Sequence, residues 1–157
     1  MNNKRIEILK QLLSRIENNI ANKDFKNEQV STSTIGWQLD HSLKVITRVS
    51  EATIHSNPDT YKYEFKPIRT VLLTLGAFPR GKAKAPKIVL PPENITIEDL
   101  HDQLKNAHES LKILVSLPKT SHFKHPLFGM LTKKQTIRFL EIHTKHHLKI
   151  VRDILKK

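Results

Sequence analysis

Apolar residues recur at intervals of three and four in four long stretches of this chain, and no stretch of useful length alternates apolar with polar residues. Intervals of three and four mark one buried helical face, whereas a half-buried strand repeats every two residues. The first stretch runs from about Lys4 to Ala21 and carries Ile6, Leu9, Leu12, Leu13, Ile16 and Ile20. The second, about Thr34 to Thr53, sets Ile35, Leu39, Leu43 and Ile46 beside a strip of Trp37, His41, Val45 and Val49. The third starts at Thr96, with Asp99 at capping-box spacing, and reaches about Leu117 through Leu100, Leu104, Ala107, Leu111, Leu114 and Val115. The last runs from about Thr132, with Gln135 completing the same box, to about Leu155. Its apolar face is Ile137, Phe139, Leu140, Ile150, Val151, Ile154 and Leu155, and Arg138, Glu141, Lys145, Lys149 and Arg152 are expected to face away.

Between these stretches, Pro67 can start a short helix through Ile68, Val71, Leu72 and Leu75 that Gly76 stops. Asn22 to Ser33 is a polar connection, and Pro58 ends any helix before the turn at His55 to Thr60. Phe78 to Asn94 holds Pro79, Pro86, Pro91 and Pro92 and reads as irregular; at that length it is either functional or a crossover between distant helices. Ser121 to Met130, with His122, His125, Pro126 and Gly129, reads as a second loop. A chain of 157 residues suits one core. The expectation is therefore an all-α helix bundle of four main helices and one short one, with residues 1–157 forming a single domain.

The absence of cysteine removes disulfides, thiolate ligands and a cysteine nucleophile. The formal charge of +12 attracts polyanions, so a nucleic-acid-binding helical module is the competing class of function. Against it, the lysines are dispersed along every segment and aromatic residues make up only 6%, which leaves few stacking platforms. The charged start of the chain lacks the apolar run of a signal peptide, and no stretch approaches roughly 18 uncharged apolar residues. A cytoplasmic protein without a membrane partner is expected, as monomer or homodimer.

The chemistry-bearing candidates are among nine histidines. His143 and His147 lie one turn apart, about 40° around a helix, in the middle of the last apolar face. Two imidazoles so placed can grip one ion; the alternative is a pair of core histidines hydrogen-bonded to carbonyls or carboxylates. His146 falls at the margin of that face, about 100° from His147. His41 has apolar residues four before and four after it and leads the candidates for a third ligand, with an exposed histidine near Lys44 and Arg48 as the other reading. His101 and His108 flank the third stretch and read as surface residues, while His122 and His125 sit in the loop before the last helix. Asp40 and Glu141 are adjacent in sequence to candidate ligands but about 100° or more away around their helices, so neither is a convincing general base. H-E-x-x-H is absent because Thr144 follows His143, which disfavours a zincin peptidase.

The segments Trp37-Gln-Leu-Asp-His41, His125-Pro-Leu-Phe-Gly129 and His143-x-x-His146-His147 resemble the DinB-like superfamily, in particular a branch known mainly as a domain of unknown function. Pro79-Arg-Gly-Lys-Ala-Lys-Ala-Pro86-Lys87 followed by Pro91-Pro92 is similar to the central loop of that branch, and the likeness spans roughly Gly36 to the end of the last helix. The resemblance implies an up-down-down-up four-helix bundle with a metal held by His41, His143 and His147. It implies a divalent zinc, nickel, iron or manganese ion. It also implies kinship to S-transferases and isomerases that use bacillithiol, mycothiol or glutathione, without assigning catalytic or thiol-binding residues. Three imidazoles leave a coordination position open, as in a catalytic site. A metal-dependent transferase or hydrolase acting on a small-molecule substrate is the leading expectation, with a non-catalytic metal-binding bundle as its alternative. Arg80, Lys82, Lys84 and Lys87 form a basic loop that could attract an anionic substrate or thiol, or simply remain solvated.

Overall fold

Threonine side chains start three of the long helices. Thr34 Oγ1 accepts from the Trp37 amide at 3.2 Å, and Thr96 and Thr132 form reciprocal boxes with Asp99 and Gln135. In the computed structural model, which describes residues 2–81 and 85–156, these caps open α2 (Ile35–Ile54), α4 (Ile97–Ser116) and α5 (Lys133–Leu155). The first helix, α1, spans Asn2–Glu17, and the short α3 spans Pro67–Leu75. Gly76 ends α3 with φ +69°, a left-handed conformation that glycine adopts without steric cost. The helix starts and stops follow the capping chemistry closely; the first apolar stretch breaks after Glu17, and Ile20 is buried by a separate 3-10 turn.

Helix α2 packs against α4 and α5, and α1 packs against the same two, so four long helices share one core. Leu9, Leu13, Ile16, Leu39, Leu43, Ile46, Leu100, Leu114, Ile137 and Leu140 are fully buried there. Each such side chain contributes about 1.5–3 kcal/mol by leaving water, which is what holds the helices together.

Two expectations need correction. The segment from Ser121 to Met130 is not a simple loop: β1 (His122–His125) and β2 (Gly129–Thr132) form an antiparallel hairpin in which His122 faces Thr132 and His125 faces Gly129. The protein is mostly helical, so the all-α expectation fits broadly, with this two-stranded sheet as an addition to it. Four-residue strands are too short to display an alternating pattern, and the turn is held by side chains. His125 Nδ1 accepts from the amides of Leu127 at 3.1 Å and Phe128 at 3.2 Å. From α3, Arg69, only 2% exposed, donates to the carbonyls of Phe128 at 3.2 Å, Met130 at 2.8 Å and Glu64.

Glu141 does not face away. It is buried and paired with Arg5 at 2.6 Å, Arg138 at 2.9 Å and Lys145 at 2.6 Å. Because α5 packs on α1 as well as α2, the Glu141 position is also enclosed, while Lys145, Lys149 and Arg152 stay exposed. Lys133 is buried for a similar reason: its Nζ donates to the carbonyls of Val115, at 3.1 Å, and Leu117, where α4 ends.

Candidate metal centre

The packing of α2 on α5 brings His41, His143 and His147 into mutual contact. Ring centroids are 5.1 Å apart for His41 and His143, 4.8 Å for His41 and His147, and 4.5 Å for His143 and His147. One nitrogen of each ring lies within 4.8 Å of those of the other two, so the three histidines could hold a metal ion. His41 and His147 are buried, and His143 keeps partial contact with solvent.

Two of the rings are oriented by their other nitrogen. His41 Nδ1–H donates to the Val89 carbonyl at 2.9 Å, which leaves Nε2 with a free lone pair. His147 Nδ1–H donates to Gln38 Oε1 at 2.6 Å with the same consequence, and the Gln38 amide is turned that way because its Nε2 donates to Ser31 Oγ at 3.4 Å. Such partners set the tautomer and aim of metal-ligating histidines. Trp37 stacks on His41 with centroids 5.1 Å apart and planes 23° apart, closing another side. His143 has no such partner among the described residues: its Nδ1 is buried and unpaired there. An orphaned buried nitrogen costs about 1–3 kcal/mol, and a cation among the rings is the kind of partner that offsets it.

All three rings are neutral at pH 7 and therefore competent as ligands. Burial lowers the pKa of His41, with the bond to Val89 opposing. Burial, reinforced by the neighbouring imidazoles, pushes His143 well below the ordinary histidine value and His147 down to about 2. Neutral nitrogens, fixed tautomers and one unsatisfied position together suit a divalent ion of the borderline class.

The remaining candidates lie outside this group. His146 stands edge-on to His147 at 5.1 Å, partly exposed, at the margin where its position on the helix placed it. His125 serves the hairpin turn, and His122 donates from Nδ1 to the Thr120 carbonyl at 3.0 Å while its backbone amide donates to Ser56 Oγ. On α4, His101 is exposed and His108 half-buried. Asp40 is engaged with Lys44 at 2.6 Å and Gln103 at 2.7 Å, and Glu141 with its three cations. In the basic loop, Arg80 is paired with Asp153 at 2.6 Å, Lys87 is exposed, and Lys82 and Lys84 lie outside the described residues.

Residues 17–154 match the family described as Protein of unknown function (DUF1569). The chain belongs to the DUF1569 family. No curated protein and no solved structure matches it. Among the described residues, this DUF1569 protein has no helix long and apolar enough to cross a membrane. Two functional contributions had no role assigned from its sequence. Gln38 carries a signal, being an amide three residues before His41 on a buried helix, but its partner is 109 residues away. The Val89 carbonyl carries none, since a backbone acceptor is the same in every residue.

Proposed function

We propose that His41, His143 and His147 bind one divalent metal ion and that the chain is a metal-dependent enzyme. We further propose a single DinB-like domain with its long helices in up-down-down-up order. The observation that carries the metal reading is the convergence of three neutral imidazoles, two with their Nδ1 committed elsewhere and the third with its Nδ1 buried and unpaired.

A divalent ion held by three protein ligands supplies Lewis acidity at its open position and lowers the pKa of a water or thiol that occupies it. The residues around it do the rest. Val89 and Gln38 hold two rings in the ligating tautomer, Trp37 covers His41, and the partial exposure of His143 leaves a way in from solvent. Neither Asp40 nor Glu141 can take a proton from a nucleophile at the rings, because each is committed to cations on another side. That favours transfer of a low-molecular-weight thiol, which needs little beyond a lowered thiol pKa, over hydrolysis assisted by a carboxylate base.

Elemental analysis of protein purified without an affinity tag tests the first step: about one equivalent of divalent metal is expected, lost in His143→Ala and His147→Ala. Metal-loaded protein is then expected to accelerate attack of bacillithiol, mycothiol or glutathione on an aryl halide. Full occupancy without turnover of any thiol would reassign the centre to a non-catalytic role.

A further inference from the structure

Arg138 stands about 140° around α5 from His143, and it lines a cleft of about 370 Å³ between α1, α3 and the start of α5. Arg5, Arg69 and Lys134 share the lining with the hydroxyls of Thr70 and Thr74, and no carboxylate does. The acid beside it, Glu141, is buried and divides one negative charge among Arg5, Arg138 and Lys145. Arg69 donates to neutral backbone carbonyls and lies over the Tyr63 ring at 5.9 Å, and neither Arg69 nor Lys134 forms an ion pair among the described residues. Four cations, Arg5, Arg69, Lys134 and Arg138, therefore line a concave site whose one neighbouring carboxylate, Glu141, is shared with Lys145 as well. Arginine does not shed its charge at any physiological pH, so this excess is permanent.

We propose that the cleft binds a small doubly charged oxyanion, namely a phosphate group, free or on a small molecule. Guanidinium forks and threonine hydroxyls are donors suited to phosphate oxygens, and the lining offers no acidic acceptor to repel them. The volume falls within the range of small-ligand sites, larger than a phosphate alone requires. The site is separate from the histidine centre and stands or falls independently of it.

Isothermal titration of the full chain with inorganic phosphate and with ribose 5-phosphate, at constant ionic strength and with chelator present, tests the proposal. Saturable one-to-one binding is expected, weakened at least tenfold in Lys134→Glu and less than twofold in Lys105→Glu, an exposed charge-matched control on α4. Thr74→Glu, which adds a carboxylate to the lining without removing a cation, is expected to reproduce the loss, and circular dichroism checks that each variant is folded. Tighter binding of ribose 5-phosphate than of phosphate would identify a monoester as the ligand, and equal binding a free oxyanion. Heat without saturation, or equal weakening by Lys134→Glu and Lys105→Glu, would show attraction by the overall +12 charge and overturn the proposal.

Discussion

Helix α5 buries polar groups on two sides, and the two sides are treated in opposite ways. Toward α1, Glu141 is saturated by Arg5, Arg138 and Lys145, all at 2.6–2.9 Å. Toward α2, His143 and His147 meet His41 with no charge to balance and one nitrogen left unpaired. A saturated buried group holds helices in place, whereas an unsatisfied one is a standing cost that folding alone does not explain. The contrast separates a structural ion-pair group from the proposed metal-binding one on the same helix, and it can be broken by measurement.

The largest effect is expected at the unsatisfied side. His143→Leu should lower the affinity for a divalent ion by more than about 100-fold, exceeding the usual effect of an outer-shell partner. The same change should leave the metal-free protein as stable or more so, since leucine removes an unpaired nitrogen from an apolar face; thermal melting with and without chelator reads both. Gln38→Met keeps volume but removes the acceptor that orients His147, and is expected to weaken metal binding by about 10- to 100-fold with little change in melting of the metal-free form. At the saturated side the pattern reverses. Glu141→Leu should cost about 2 kcal/mol in urea unfolding, reduced from the fully buried case because Arg5 and Lys145 are partly solvated, and should leave metal affinity unchanged.

The smallest effect concerns the hairpin beside the centre. Burial lowers His125 to about 4, and its unprotonated Nδ1 accepts two amides of the turn. A histidine with a folded pKa below its unfolded value near 6.5 contributes stability that is full above 6.5 and is lost as pH falls toward 4. Between pH 7.5 and 5.5 this amounts to about 1 kcal/mol after allowance for its partial exposure. Asparagine can accept the same turn amides without titrating, so His125→Asn should narrow the stability difference between the two pH values by about that amount, leaving the part that the buried His41, His143 and His147 contribute.

Much of this arrangement is legible in the residues. Thr34, Thr96 and Thr132 announce helix starts because capping is local, and His143 and His147 announce a shared face because helix geometry is fixed. His41 needed the family likeness beside the face pattern, since an exposed histidine near Lys44 and Arg48 is an equally good reading of the same residues. The hairpin escaped because its strands are four residues long and its stability comes from Arg69, more than fifty residues earlier. Glu141 was misplaced because a helical wheel sends charge toward solvent, and its partner Arg5 lies 136 residues away. What a side chain meets across the fold is the part a linear pattern does not carry.

The central claim, that three histidines from two helices hold one ion, is tested most directly by titrating cobalt(II) into metal-free protein while following visible ligand-field absorption. Trp37, the only tryptophan, stacks on His41 and gives a second readout by fluorescence. Both signals are predicted to saturate together at one equivalent, and both to vanish in His41→Ala. A titration without a saturable band, or an endpoint unchanged by His41→Ala, would contradict the account.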